Sequence, residues 1–128
     1  MSEVETEFLD LDDVLSLAAK LLGEPVPIRD AGLLASAVAR PQTSIGGQDA
    51  YPTLVEKASA LLQSIIINHA LVDGNKRLGW VCTAVFLQIN GVDVTRISND
   101  SVYDFVYWVA STNPQLDDIV TSFRLLLK

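Results

Sequence analysis

The chain has 128 residues, of which 49% are hydrophobic and 20% charged, the profile of one globular domain over residues 1 to 128 with a core of its own. Its formal net charge of -7 argues against a general nucleic-acid partner, because phosphate contact needs a basic face and no run of Lys and Arg supplies one. Cys82 is the single cysteine, so there is neither a disulfide framework nor a CxxC zinc pair, and its apolar neighbours mark it as a small hydrophobe.

The opening stretch "MSEVETEFLDLDD" is acidic, the reverse of a signal peptide's basic start. The longest apolar run, "LGWVCTAVFLQI", is about a dozen residues, short of the ~20 that cross a bilayer. The expectation is a soluble, cytoplasmic domain with no membrane or nucleic-acid partner.

Helical spacing then dominates the chain. Leu11, Val14, Leu15, Ala18, Leu21 and Leu22 form one buried face, and Gly23 and Pro25 stop that helix. Asp30 caps a second helix through "GLLASAVAR", which ends near Arg40 because Pro41 restricts the residue before it. Residues 41 to 52, "PQTSIGGQDAYP", form a loop by composition. A third helix carries Leu54, Ala58, Leu61, Leu62, Ile65 and Ile66 on one stripe up to His69. Leu78 to Ile89 is apolar nearly all round, which predicts the most buried helix of the set; Asn90-Gly91 closes it. The alternation in "VDVTRI", residues 92 to 97, admits a short extended segment. Val102, Phe105, Val106 and Val109 mark a fifth helix, and Leu116, Ile119, Val120, Phe123, Leu126 and Leu127 a sixth that starts at Pro114. The predicted architecture is all-α, a compact bundle of about six helices with one conspicuous loop.

The chemistry gathers in "NHALVDGNKRLGW", residues 68 to 80, between two apolar helices. His69 is the chain's one histidine and the side chain best suited to take a proton from an alcohol near neutral pH. Asp73 is a hard oxygen donor of the kind Mg²⁺ uses alongside substrate phosphates. Gly74, Asn75, Lys76 and Arg77 open the next helix, where unpaired N–H groups and the positive dipole end favour an anion. Two cations there oppose the dipole, so an anion such as a nucleotide phosphate is expected to compensate. Asn75 either donates to a phosphate oxygen or fixes the turn. Base, metal ligand, anion nest and cationic clamp together suit phosphate-group transfer. Each residue also has an ordinary reading, as a helix cap, a turn or a solvated face, and spacing alone leaves both open. Gly46-Gly47 is no P-loop, since no Gly-Lys-Ser/Thr follows. One histidine cannot build a histidine-rich metal site. Trp80, Trp108, Tyr103 and Tyr107 are expected in the core or a groove.

"HALVDGNKR" resembles the signature of the Fic/Doc family, His-x-Phe-x-Asp/Asn-Gly/Ala-Asn-x-Arg, and the flanking "IRDAGLLASAVARPQTSIGG", "YPTLVEKASALL" and "FLQINGVDV" are similar to its Doc (death-on-curing) branch. The resemblance implies a helical fold with the signature loop between two central helices. It implies His69 as general base, Asp73 holding Mg²⁺, and Gly74, Asn75, Lys76 and Arg77 binding the phosphates of ATP. It further implies that 41 to 52 is a flap that docks the target as an added strand. The Doc branch transfers the γ-phosphate of ATP to a hydroxyl of elongation factor Tu and so arrests translation; Fic members transfer AMP instead. Lys76, where AMP-transferring members carry glycine, and Trp80, where many carry a second arginine, both favour the phosphate reaction. The alternatives are an AMP transferase and an inactive binding module. Leu71 replaces the family's usual phenylalanine, and Gly79 costs its helix roughly 1 kcal/mol relative to Ala. The chain has no Ser/Thr-x-x-x-Glu-Gly/Asn self-inhibitory segment, so the resemblance implies a partner inhibitor, a Phd-type antitoxin whose C-terminal segment folds as a helix on the toxin.

Overall fold

The computed structural model describes residues 5–128; the first four residues of the acidic opening stretch lie outside that range. Helix α1 (Leu11–Leu22) begins at a capping box, in which Asp10 accepts from the Asp13 N–H and the Asp13 side chain accepts from the Asp10 N–H. That pairing satisfies two orphan donors at once. Helix α2 (Ala31–Ala39) is capped by Asp30, whose side chain accepts from the Leu33 N–H, and a 3-10 turn at Arg40–Gln42 carries the chain out of it.

The segment expected to be a plain loop contains a hairpin. Strands β1 (Ser44–Ile45) and β2 (Gln48–Asp49) pair antiparallel, Ser44 opposite Asp49 and Ile45 opposite Gln48. The two residues between them, Gly46 and Gly47, have φ of 59° and 80°, the positive values that a two-residue hairpin turn demands.

Helix α3 (Leu54–Asn68) follows, then α4 (Asn75–Ile89), α5 (Asn99–Thr112) and α6 (Leu116–Leu126). The expected ranking of burial is reversed. Of the 15 residues in α3, nine are buried, against six of the 15 in α4. Helix α3 packs on α2, α4, α5 and α6, so it is the axis of the bundle. Its polar positions hide this from sequence: Lys57, Ser59 and Ser64 are all buried. Phe86, Phe123, Leu34, Leu61, Leu62, Ile65, Ile66 and Leu78 fill the core around it.

Gly79 lets the two central helices approach. A Cβ at that position would sit 3.0 Å from Ile66 Cγ1, so the propensity cost anticipated for this glycine is offset by close packing against α3. The extended segment admitted at 92 to 97 is not found: these residues are coil and turn. Asp93 accepts from both the N–H and the hydroxyl of Thr95, closing an Asx turn that competes with strand formation. Those two bonds hold its carboxyl below its usual range. No helix among the described residues is long and apolar enough to cross a membrane.

Candidate active site

The turn joining α3 to α4 is bounded by two left-handed residues. His69, the C-cap of α3, has φ 50° and ψ 47°; Gly74, the N-cap of α4, has φ 90° and ψ 10°. Two features favour glycine at 74. The torsion is one that side-chain-bearing residues avoid, and a Cβ there would come within 2.7 Å of Leu22 Cδ2. Between the two, Ala70 and Leu71 are buried while Val72 and Asp73 are exposed. Leu71 therefore occupies the core position where the family pattern has phenylalanine.

Asn75 sets the shape of this turn. Its side-chain amide donates to the Leu71 carbonyl and its side-chain oxygen accepts the Leu71 N–H, both at 3.0 Å. Of the two roles the sequence allowed it, the side chain takes the structural one; toward an anion it offers its backbone N–H. Gly74 makes no side-chain cap, so the first N–H groups of α4 are free of one, as a helix start that receives an anion should be. Lys76 and Arg77 are exposed beside them, and neither forms an ion pair among the described residues.

The Asp73 carboxylate accepts the Gly74 N–H at 2.9 Å through one oxygen, and the side chain is exposed. Among the described residues no three His, Cys, Asp or Glu side chains come together as a metal cage. A divalent ion here would take one carboxylate oxygen and complete its shell with phosphate oxygens and water. That donor set suits Mg²⁺, which dehydrates reluctantly and is seldom held by protein ligands alone.

His69, Asp73, Gly74, Asn75, Lys76 and Arg77 line one cavity of about 420 Å³, whose far wall is Tyr107, Ala110 and Ser111 of α5. All six sequence-predicted site residues thus share one space, which brings the imidazole together with a helix start flanked by two cations. The α5 wall was not anticipated. Its signal was present in the four-residue spacing of Tyr103, Tyr107 and Ser111, on the side of the helix away from buried Phe105, Val106 and Val109. Tyr103 and Tyr107 stack in parallel with centroids 6.2 Å apart, both exposed, so they are groove residues. Trp80 and Trp108 are half-buried against Phe123 and Phe105.

The hairpin is tied down at its base by two cations that the sequence did not single out. Lys57, 3% exposed, donates from α3 to the Tyr51 carbonyl and pairs with Asp49 at 3.1 Å. Arg40 donates to the Tyr51 hydroxyl, the Ala60 carbonyl, Gln63 and Ser64, and its guanidinium lies 5.3 Å from the Tyr51 ring centroid. Beyond this anchored base the tip is free, with Ile45 73% exposed.

The model of the Fic/DOC family matches residues 8–87, a span that holds α1 through most of α4 and every residue of the central turn. The chain belongs to the Fic/DOC family. It is also similar to Toxin Doc of Mycolicibacterium smegmatis (strain ATCC 700084 / mc(2)155), with 49% identity over 115 residues, covering 89% of this chain and 88% of that protein.

Proposed function

We propose that this chain is the toxin of a toxin–antitoxin pair and acts as a protein kinase, transferring the γ-phosphate of ATP to a Ser or Thr hydroxyl of elongation factor Tu. The observation that carries this reading is the shared cavity: His69, Asp73 and the cation-flanked start of α4 open onto one space. The family membership and the likeness to a protein named Toxin Doc support the toxin assignment.

In this reaction the substrate hydroxyl attacks the γ-phosphorus while His69 accepts its proton. A new O–P bond forms, the bond from the γ-phosphorus to the β–γ bridging oxygen breaks, and ADP leaves. Charge spread over the transferred phosphoryl oxygens would be met by the N–H groups at the start of α4, fixed donors that need no reorganisation, and by the Lys76 and Arg77 side chains. Asp73 would hold the Mg²⁺ that travels with the nucleotide and neutralises part of its phosphate charge. The hairpin offers two short, exposed edges on which an extended substrate segment can add as a strand.

The inhibitor in this reading is a Phd-type antitoxin helix. An apolar groove of about 290 Å³, walled by Leu21, Trp80, Val81, Val102 and Tyr103, adjoins the site and shares Lys76, Arg77 and Tyr107 with it. A helix seated there would cover the two cations.

The test is the intact mass of purified elongation factor Tu after incubation with this protein, ATP and Mg²⁺, beside a His69→Ala control. A phosphate-sized gain absent from the control is expected. An AMP-sized gain would replace the kinase reading with AMP transfer, and no gain would favour another target or a binding module.

A further inference from the structure

His69 is one of only two non-glycine residues with positive φ among the described residues. A left-handed helix C-cap is ordinary for Gly or Asn and less common for histidine, which leaves the surroundings a part in holding it. The surroundings here come from a segment distant in sequence. Leu71 forms an antiparallel bridge with Ile28, and the Val72 N–H donates to the Pro27 carbonyl at 2.8 Å. The Arg29 and Asp30 N–H groups both donate to the Ala70 carbonyl, at 2.8 and 2.9 Å. These bonds fix the turn after residue 69. One side chain fixes residue 69 itself: Arg29 Nε donates to the His69 carbonyl at 2.7 Å, and Nη2 to the Asn68 carbonyl at 3.3 Å.

The guanidinium suits this place for two reasons. The left-handed turn leaves the last carbonyls of α3 without helical partners, and a planar fork with two parallel donors can serve both. A cation at a helix C-terminus also complements the dipole, and α3 has no basic residue in its own last turn. Arg29 has no carboxylate partner among the described residues.

We infer that Arg29 is a positioning residue for His69: by gripping the carbonyls of residues 68 and 69, it holds the left-handed backbone that aims the imidazole into the cavity. This rests on the reading of His69 as the general base. Arg29 is not among the residues that line the cavity, so its removal is expected to act on the chemical step and to leave nucleotide binding alone. Misplacing a base by about 1 Å lowers a rate by up to ~100-fold.

Two measurements on Arg29→Ala and Arg29→Lys test it. In the transfer assay, Arg29→Ala is expected to lower kcat on the order of 10- to 100-fold with KM for ATP unchanged. Arg29→Lys, which keeps the charge and loses the fork, recovers only part of that. A rise in KM at constant kcat would make Arg29 a nucleotide contact, and an unchanged kcat would remove the role; either overturns the inference. Independently of any activity, the three-bond HN–Hα coupling and Cα shift of His69 report its left-handed torsion. The inference expects that signature to vanish in Arg29→Ala while the remaining spectrum stays dispersed; if the signature persists, the inference fails. If Arg29→Ala does not fold, the same readouts on Arg29→Lys decide. Should the wild-type protein transfer no phosphate, the proposed activity fails, and the coupling still decides whether Arg29 holds the turn.

Discussion

Asn75 and Leu71 hold each other through two hydrogen bonds of 3.0 Å, each residue donating one and accepting one. Leu71 is 2% exposed, so its N–H and C=O have no water to replace Asn75 if that side chain is removed. Asn75→Ala leaves both groups unpaired and is expected to destabilise the fold by about 2–4 kcal/mol. Asn75→Asp keeps an acceptor for the N–H but sets a carboxylate oxygen against the Leu71 carbonyl. Its loss is expected to shrink as pH falls toward about 4, where the protonated acid can donate again. Urea denaturation of both variants at two pH values checks the pair; a loss below about 0.5 kcal/mol for Asn75→Ala would mean that the turn is shaped by something else.

His69 separates the requirements of the turn from those of the reaction. Its backbone is left-handed, so His69→Gly relieves strain while adding freedom to the unfolded chain. These effects oppose each other, and the variant is expected to stay within about 1 kcal/mol of the wild type in thermal or chemical denaturation. It should transfer no phosphate. Retained transfer in a well-folded His69→Gly protein would remove the imidazole from the mechanism.

All six helices were legible because each carries an apolar stripe of helical period, and most an identifiable start or stop, such as Asp30 before α2 or Gly91 after α4; for α5 the stripe was legible but not its bounds at Asn99 and Thr112. The grouping of the candidate site residues was legible for a related reason: His69 to Arg77 lie in one short segment, so one turn brings them together whatever the rest of the chain does. What stayed hidden was long-range. Nothing near Arg29 in sequence reveals that it reaches residues 68 and 69, about 40 positions away. Lys57, Ser59 and Ser64 made α3 look half solvated, whereas Lys57 is paired with Asp49 and Ser64 accepts from Arg40. The hairpin at 44–49 was missed because strands of two exposed residues have no inward face to impose alternation.

The Lys57–Asp49 pair makes an asymmetric prediction. Lys57 is buried and the Asp49 side chain is 62% exposed. Lys57→Met leaves behind a carboxylate that water can solvate, whereas Asp49→Ala leaves a buried ammonium with one carbonyl partner. Asp49→Ala is therefore expected to be the more destabilising, by about 1–3 kcal/mol against less than about 1 for Lys57→Met. Both free the hairpin base, so both should raise KM for the protein substrate more than KM for ATP. Equal stability losses would mean that the ammonium is solvated in the native state.

In the proposed reading, Lys76 is the residue on which the choice of transferred group rests. In the kinase reading its side chain fills space beside the phosphates that AMP-transferring relatives leave open with glycine. Lys76→Gly is expected to lower phosphate transfer and to yield some AMP-sized adduct, at a helix cost of about 1 kcal/mol. The mass distribution on elongation factor Tu reads both products in one spectrum. A variant that transfers phosphate at the wild-type rate would mean that donor orientation is set elsewhere in the cavity.

Cys82 gives a pH signature for the core around α4. It is fully buried, and burial pushes its thiol from an ordinary 9.0 up to about 12. The native thiol therefore keeps its proton through the alkaline range while the unfolded chain releases it, so unfolding becomes easier as pH rises. The stability held by the buried thiol is complete below its unfolded value and is lost progressively from about pH 9 toward 12. Cys82→Ala abolishes this dependence at the cost of a small cavity. The stability gap between wild type and Cys82→Ala is expected to narrow by up to about 1.4 kcal/mol per pH unit above the unfolded thiol's value. Other alkaline titrations cancel in that difference, because the two proteins share them. Alkylation of the wild-type thiol at about pH 8 should proceed only through opening of the fold. A gap that stays constant to about pH 10, or fast alkylation of the native protein, would mean that water reaches Cys82.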